Sequence, residues 1–253
     1  MAIEVDIALD GAEVEQLQAI EAAGWFTSVE FRNARSPVHP QSSWLDENNS
    51  AKQDFVGDWM TRVVPGRTVL DAFCANGGFS LLCAGLGAKA VHGVDLEPAR
   101  VQAAQLVASF LERRRPQCAM SFEVGDIYRV PEGAAGPFDV VLALGGLYHV
   151  ADPAFVLRRL RSLTREWLIV QTSNVLPVPG NWARFRVRRD QTAKGLSSIR
   201  GGLGAWHYSP ACFRELLRHG GFEVAEERTT SWRRFRRFPW YGALCRPLGA
   251  TGG

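Results

Sequence analysis

The chain has 253 residues, a hydrophobic content of 46% and a formal net charge of +3. This size and composition suit one large globular domain, or one domain with additions. The small charge does not by itself indicate a nucleic-acid partner, no apolar run reaches the roughly 18 residues that a bilayer span needs, and the acidic start does not resemble a signal peptide. We therefore expect a cytoplasmic protein without a membrane span.

The first 65 residues are predicted to form a helical cap and a ligand-covering loop. Apolar residues at helical spacing predict a helix over 12–23. Asp46 is a candidate cap for a second helix that runs to about Val64. Residues 25–43 between them are irregular and rich in aromatic residues and arginine. Two interpretations stay open for this loop: it closes over a bound ligand, or it packs on the N-terminal helix.

From residue 66 onward, apolar strands alternate with helices, a pattern typical of a doubly wound α/β sheet. The strands predicted in this part are Thr68–Phe73, Ala90–Asp95, Ala119–Val124, Phe138–Leu144 and Trp167–Thr172, followed by the closing strands Phe222–Thr229 and Tyr241–Cys245. The closing strands are expected to pair antiparallel. We therefore predict a mostly parallel seven-stranded sheet over residues 66–248, with N-terminal helices and a long insertion after the fifth strand.

The insertion covers residues 174–208 and interrupts the alternation of strands and helices. A long loop inside a compact domain is usually functional, so we expect a substrate lid. Its aromatic segment Trp206-His207-Tyr208 supplies three candidate substrate contacts, because aromatic rings stack on sugar or ring faces. A helix over 209–219 follows the insertion.

The turn after the first strand of the sheet is the leading candidate for a ligand site, because open α/β sheets bind ligands at the carboxyl ends of their strands. It reads Asp71-Ala-Phe-Cys-Ala-Asn-Gly77; Asp95 ends the next strand and Asp126 follows the third. The phosphate-binding loop of nucleoside triphosphatases is absent, and an aspartate before the turn would repel a pyrophosphate. Carboxylates suit a ligand with ribose hydroxyls, an amino group and a positive sulfonium.

The order and spacing of these residues resemble a class I S-adenosylmethionine-dependent methyltransferase with a Rossmann-like fold, over about residues 66–172. The family turn reads roughly Asp-x-Gly-Cys-Gly-x-Gly, and Phe73 and Ala75 replace two of its glycines. The resemblance implies S-adenosyl-L-methionine as cofactor. The implied cofactor contacts are Asp71, Phe73, Asn76 and Gly77 at the methionine part, Asp95 and Leu96 at the ribose and adenine, Asp126 and Ile127 at the adenine, and Leu144 near the methyl group. Local roles stay open for Asp95 as a helix cap and for Asp126 as a turn residue.

A hydroxyl acceptor must lose a proton during methyl transfer, and histidine is the side chain best suited to accept it. His149 follows the fourth strand, and we predict it as the base, with Tyr148 as a substrate contact. The alternatives are that His149 positions the substrate or caps the next helix. The Leu-Tyr-His149 segment resembles the uridine-modifying tRNA methyltransferase-like subgroup, which also carries a lysine before the first strand. Lys52 in that region could pair with the cofactor carboxylate, or it is a solvated surface charge.

Two acceptor classes compete. The favoured one is a hydroxyl of a small molecule or carbohydrate, because the net charge is modest and a lid and a base are predicted. RNA is the alternative, because arginines and aromatic residues interleave over 184–189 and 233–237, as they do on surfaces that bind single strands. Methylation of an amine and a non-catalytic methyltransferase-like subunit are weaker possibilities.

Metal chemistry and assembly are less constrained by the sequence. The five cysteines are scattered and form no Cys-x-x-Cys pair, which argues against a disulfide framework and a structural zinc site. We predict no metal ligand set, while a divalent cation such as Mg²⁺ and a homodimer stay open.

Overall fold

The structure, a computed structural model, describes residues 2–39, 42–114, 118–129, 136–173, 175, 178–188, 203–230 and 239–249. It comprises two compact units, Met1–Gly125 and Asp126–Gly253.

The first unit builds three parallel strands of the central sheet behind an N-terminal segment. Its elements are β1 (Ile3–Val5), α1 (Gly11–Ala19), β2 (Val29–Phe31), α2 (Ser42–Val63), β3 (Thr68–Asp71), α3 (Gly78–Gly85), β4 (Ala90–Asp95), α4 (Pro98–Glu112) and β5 (Ala119–Val124). Strand β4 lies between β3 and β5 and is parallel to both. Because the strands are parallel, their carboxyl ends share one edge of the sheet, where β3 and β4 deliver Asp71 and Asp95.

The N-terminal segment differs in three ways from the prediction. Helix α1 begins one residue earlier than predicted, after a capping box in which Glu13 bonds back to the backbone of Asp10, and it ends at Ala19 because Ile20 is extended. Helix α2 begins at Ser42, so Asp46 lies inside the helix and is not its cap. The segment 25–43 is not irregular throughout, because β2 forms a parallel pair with β1.

The second unit supplies the remaining strands and a separate hairpin. Its elements are β6 (Phe138–Leu144), α5 (Pro153–Leu163), β7 (Thr164–Thr172), β8 (Ala183–Arg188), β9 (Leu203–Tyr208), α6 (Pro210–His219), β10 (Phe222–Thr229) and β11 (Tyr241–Pro247). Strand β7 is parallel to β6 and antiparallel to β11, which in turn is antiparallel to β10. The expected antiparallel closing pair is therefore confirmed.

Seven of the described strands form the central sheet, three from the first unit and four from the second. This confirms the predicted mostly parallel α/β sheet. The prediction that 174–208 lacks regular structure is wrong for its described part, because β8 and β9 form an antiparallel hairpin outside that sheet. No helix within the described ranges has both the length and the apolar character that a bilayer span requires.

Candidate functional site

The turn between β3 and α3 is held in an unusual backbone conformation. Ala75 and Gly77 both lie in the left-handed region, with φ of 49° and 79°. For a residue with a Cβ this region costs roughly 1–2 kcal/mol, which explains why the family pattern has glycine where this chain has Ala75. Two bonds from β4 hold the turn: Cys74 N donates to Val94 O at 3.0 Å, and Ala75 N donates to Asp95 Oδ2 at 2.9 Å.

Asp95 joins the turn to the start of α4. While Oδ2 accepts from Ala75, Oδ1 accepts from the backbone N–H of Glu97 at 2.9 Å. The side chain bonds locally and fixes the turn, but the alternative that it caps α4 is wrong, because Glu97 holds the N-cap position and receives no side-chain cap bond. This half-buried carboxylate is therefore held in a fixed orientation at the carboxyl end of β4.

Asp71 lies at the base of the same turn with 2% of its surface exposed. Its Oδ2 accepts from the Ser80 hydroxyl at 2.8 Å. Burial raises the pKa of Asp71 to about 6, and the nearby charge of Asp95 adds to the shift, while Ser80 and the Lys52 ammonium oppose it. Burial thus destabilises the charged form of this carboxylate, and a bound cation would stabilise it.

Lys52 brings a positive charge from α2 toward this carboxylate. Its side chain is buried, with 6% of the residue exposed, so the interpretation of Lys52 as a solvated surface charge is wrong. Burial lowers its pKa to about 8, against the attraction of Asp71. Its Nζ lies 5.8 Å from the ring centroid of Phe79 at the start of α3. Two opposite charges therefore share one poorly solvated region of the first unit.

The side chain of Asn76 anchors the N-terminal segment to the turn. Its Oδ1 accepts from Thr27 N and its Nδ2 donates to Thr27 O, both at 2.8 Å, while Asn49 Nδ2 donates to Thr27 Oγ1 at 2.9 Å. Both polar atoms of the Asn76 amide are used in this way, so the side chain positions the turn, and its contact with the cofactor stays a prediction. Part of the 25–43 loop lies on the ligand turn rather than only on the N-terminal helix.

The other predicted contacts of the first unit surround this turn. Phe73 and Leu96 are half-buried, and Gly77 is buried at the start of α3. Phe26, next to the anchored Thr27, has its ring centroid 5.0 Å from the guanidinium carbon of Arg100 on α4. The structure thus brings Asp71, Phe73, Asn76, Gly77, Asp95 and Leu96 together in the first unit.

In the second unit, the segment after β5 forms a tight turn. Asp126 Oδ1 accepts from Tyr128 N at 3.1 Å, and Asp126 O accepts from Arg129 N at 2.7 Å. The alternative that Asp126 is a turn residue is therefore observed, and its contact with adenine stays a prediction. Ile127 and Leu144 are 3% and 6% exposed, so both present little surface to solvent.

His149 ends a short 3-10 turn, Leu147–His149, that follows β6. Its backbone N–H donates to Gly146 O at 2.9 Å, and its ring centroid lies 4.1 Å from that of Tyr148. Burial raises the pKa of the Tyr148 phenol, while a hydrogen bond with the Ser173 side chain opposes this shift. The alternative that His149 caps α5 is wrong, because Asp152 Oδ1 accepts from Phe155 N at 2.8 Å.

The hairpin places its three candidate substrate residues differently. Trp206 is half-buried, and its indole Nε1 donates to Val150 O at 3.1 Å. Tyr208 is a core residue with 3% exposure, packed 5.2 Å from Phe213 between ring centroids, so its predicted role as an open stacking surface is corrected. His207 is half-buried and, because side chains alternate along a strand, points to the opposite face of β9.

The exposed aromatic surface of the hairpin comes instead from β8 and the residue before it. Trp182 and Phe185 are 62% and 41% exposed, and the ring of Phe185 lies 4.7 Å from that of Trp206. Their neighbours Arg184 and Arg186 are also exposed. Residues 233–237, the other arginine-rich segment, lie outside the described residues.

Several residues that shape the site were not singled out by the sequence. Thr27 and Asn49 lie in the N-terminal segment, Ser80 follows the turn on α3, and Tyr128 and Ser173 follow β5 and β7. Hydroxyl and amide side chains of this kind carry no motif. The one available signal was position, and only for Ser173, which directly follows the carboxyl end of β7.

Metal and thiol chemistry have little support in the described ranges. Among those residues, no group of three or more His, Cys, Asp or Glu side chains is arranged to hold a metal ion. All five cysteines are free thiols, and four of them are buried.

Comparison with known proteins gives a family match and several relatives. The family model described as "Methyltransferase domain" matches residues 64–194, just over half of the chain. A ubiquinone biosynthesis O-methyltransferase from Albidiferax ferrireducens is 33% identical over 172 residues, which cover 66% of this chain and 60% of the relative. A tRNA U34 carboxymethyltransferase from Pseudomonas aeruginosa is 30% identical over 202 residues, covering 72% and 58%.

The solved structure of magnesium protoporphyrin IX methyltransferase from Synechocystis PCC 6803 with bound SAM has a similar fold. It superposes with a TM-score of 0.60 at 20% identity, over 96% of this chain and 100% of the other. The chain spans 60% of the length of the first two ubiquinone biosynthesis O-methyltransferases that it matches.

Proposed function

The chain belongs to the methyltransferase domain family, and from that premise we propose that it transfers a methyl group from S-adenosyl-L-methionine to a hydroxyl group of a small molecule or carbohydrate. The observation that carries the cofactor assignment is the buried pair of opposite charges, Asp71 and Lys52. The amino-acid end of the cofactor is a zwitterion. Its ammonium suits the Asp71 carboxylate, and its carboxylate suits the Lys52 ammonium.

The shifted pKa values of this pair support a receptor for a zwitterion. With the pKa of Asp71 at about 6 and that of Lys52 at about 8, both groups are mostly charged near pH 7. Burial disfavours each charge in the free protein, so a ligand that brings the opposite charges relieves both penalties.

The nucleoside end fits Asp95 and its surroundings. The two carboxylate oxygens of Asp95 are oriented by the backbone N–H groups of Ala75 and Glu97, and carboxylate oxygens are the acceptors that suit ribose hydroxyls. Leu96 is half-buried beside it and offers an apolar surface for the adenine. The residues of the first unit therefore fit a positively charged, zwitterionic nucleoside.

The chemistry asked of the second unit is alignment and proton removal. When bound, the cofactor supplies a methyl group that its sulfonium already activates, so the enzyme has to orient the acceptor and exclude water. His149 would accept the proton of the acceptor hydroxyl and so make its oxygen nucleophilic. Tyr148 contacts the acceptor beside it. We propose that the β8–β9 hairpin, within 174–208, is the substrate lid, with Trp182 and Phe185 as its stacking surface.

A hydroxyl of a small molecule is supported by the names of several curated relatives, which are ubiquinone biosynthesis O-methyltransferases. RNA is the second candidate. It is favoured by the exposed alternation of Arg184, Phe185 and Arg186 on β8 and by the tRNA-modifying relative. A non-catalytic subunit would bind the cofactor and transfer nothing.

One labelling experiment separates these functions. The protein is incubated with methyl-labelled S-adenosylmethionine and host extract divided into RNA, glycan and small-metabolite fractions. We expect label in the glycan or small-metabolite fraction. Label confined to RNA would replace the proposed acceptor with the second candidate, and cofactor binding without label in any fraction would support the non-catalytic subunit.

We also propose that the protein works in the cytoplasm, where its five free thiols stay reduced. Cell fractionation should recover it with cytoplasmic marker enzymes. Recovery from an oxidising compartment would contradict this location.

A further inference from the structure

The segment that follows His149 is held by side chains from outside it. Trp206 on β9 donates its indole N–H to Val150 O at 3.1 Å. Asp152 N donates to the hydroxyl of Tyr128 at 2.6 Å, and that hydroxyl in turn lies 3.4 Å from Asp152 O. Val150 and Asp152, one and three residues after His149, are therefore held by two side chains from different parts of the second unit.

The hydrogen bond of Trp206 holds the residue that follows His149. Val150 is buried, with 3% of its surface exposed, and its carbonyl lies one peptide beyond the candidate base. A buried carbonyl needs a hydrogen-bond partner, so the indole N–H selects one orientation of the 150–151 peptide, which fixes the chain immediately after His149. The 3-10 turn Leu147–His149 is short and has few internal bonds of its own, which leaves this external anchor with a large share of the positioning.

Trp206 also connects to the exposed part of the hairpin. Its ring lies 4.7 Å from that of Phe185, which is 41% exposed, and it stacks at 6.0 Å on the buried ring of Tyr208. A row of rings therefore runs from the solvent-facing surface of β8 to the core, with Trp206 in the middle. A ligand that displaces the ring of Phe185 therefore acts through Trp206 on the carbonyl of Val150, one residue after His149.

We propose that Trp206 is a positioning residue, whose indole N–H couples the β8–β9 hairpin to the orientation of His149. This replaces the direct substrate contact predicted for Trp206 and rests on the proposed role of His149 as the base. Under this inference, an acceptor that stacks on the hairpin also orients the His149 base, so that proton removal is efficient only when the acceptor is bound.

The test removes the N–H donor and keeps an aromatic ring. Trp206→Phe is compared with the matched control Trp167→Phe, since Trp167 lies on β7 with its ring 4.4 Å from the Arg246 guanidinium carbon and has no part in the site. Histidine ring ¹³C–¹H spectra are recorded for both, with the His149 signal assigned by its loss in His149→Ala. We expect Trp206→Phe to move the His149 signal and Trp167→Phe to leave it in place.

Kinetics give the second readout, with the acceptor that the labelling experiment identifies. Trp206→Phe is expected to lower kcat by about tenfold, because small misplacements of a catalytic group are costly, with the cofactor Kd unchanged. Tyr128→Phe, which removes the opposite anchor, should move the His149 signal as well and keeps the test valid if Trp206→Phe does not fold.

The outcomes separate this inference from the proposed function. A His149 signal that is the same in Trp206→Phe and Trp167→Phe, with equal kcat, would overturn the positioning role even if His149→Ala is inactive. A shifted signal in Trp206→Phe together with full activity of His149→Ala would keep the mechanical coupling and remove His149 as the base.

Discussion

The β3–α3 turn of the first unit, where we propose that the cofactor binds, and the His149 region of the second unit are held in place by different interactions. At the β3–α3 turn, hydrogen bonds connect Asp95, Asn76 and Ser80 to neighbouring segments. The charged side chains of Asp71 and Lys52 are buried beside them. Next to His149, the chain is held by hydrogen bonds of Trp206 with Val150 and of Tyr128 with Asp152, and the β8 part of the hairpin carries an exposed aromatic surface. The first arrangement suits one fixed ligand, as proposed for the cofactor, whereas the second lets a bound acceptor influence the position of His149, as the proposed role of Trp206 requires.

The largest effect on turnover is expected from a substitution of His149. His149→Ala should lower kcat by about 10²- to 10³-fold, because the acceptor loses its general base, and it should leave the cofactor Kd unchanged. Turnover by single-turnover kinetics and Kd by calorimetry measure the two effects separately. His219→Ala, at the exposed end of α6, is the control, and full activity of His149→Ala would reject the base.

The reverse pattern is expected at Asp95. Asp95→Ala should weaken cofactor binding by about tenfold to a hundredfold, since each hydrogen bond to a charged group is worth about 1.5–3 kcal/mol, and the turn also loses its bond from Ala75. Asp6→Ala, which removes an exposed carboxylate paired with Arg32, serves as the matched control. Calorimetry that finds equal affinity in both variants would contradict the assignment.

The pH dependence of cofactor binding tests the charge pair. Affinity should be highest between about pH 6 and about pH 8, set by the pKa values of Asp71 and Lys52. Below that window Asp71 gains a proton and no longer attracts the ligand ammonium; above it Lys52 loses its proton and no longer attracts the ligand carboxylate. Each limb falls by about tenfold per pH unit once past the corresponding pKa.

Single substitutions assign the two limbs of this profile. Asp71→Asn should flatten the acidic limb. The basic limb has two sources, Lys52 and the ligand's own amino group, and Lys52→Met should remove only the part that comes from Lys52. A wild-type affinity that does not change from pH 5 to 9 would show that neither charge takes part.

The smallest effect is expected at Ala75. Ala75→Gly should stabilise the free protein by up to about 1 kcal/mol, because the strain of a left-handed alanine exceeds the extra chain entropy of glycine. Thermal unfolding measures this as a rise of the midpoint by about 2–4 °C. A lower midpoint would mean that the turn relaxes this strain by other means.

The central sheet could be predicted because its signals are local. The apolar run Phe138–Leu144 and the strand-end aspartates mark buried parallel strands and their carboxyl ends without reference to the rest of the chain. Strand β8 was missed because its arginines give it a polar composition, and its pairing with β9 depends on residues about 20 positions away. Strand β2 was missed for a similar reason, since three residues paired to a distant β1 leave no pattern.

The candidate site was predictable where residues follow strands and not where partners are distant. Asp71 and Asp95 were located by strand ends, but the use of the Asn76 amide was not, because its partner Thr27 lies 49 residues earlier. The burial of Lys52 was also beyond local reasoning, since one lysine on a helix usually faces solvent. Tyr208 was predicted to contact the substrate because the sequence of an insertion does not show whether an aromatic side chain faces solvent or the core.

The central claim is that the buried charges of Asp71 and Lys52 receive the amino-acid end of the cofactor. Calorimetry with S-adenosylhomocysteine and with 5′-methylthioadenosine, which lacks that end, tests it directly in the wild-type protein and in the Asp71→Asn/Lys52→Met double variant. We expect the wild type to bind S-adenosylhomocysteine at least about tenfold more tightly, in line with two charge-assisted contacts, and the double variant to bind both ligands alike. Equal affinity for the two ligands in the wild type would contradict the claim.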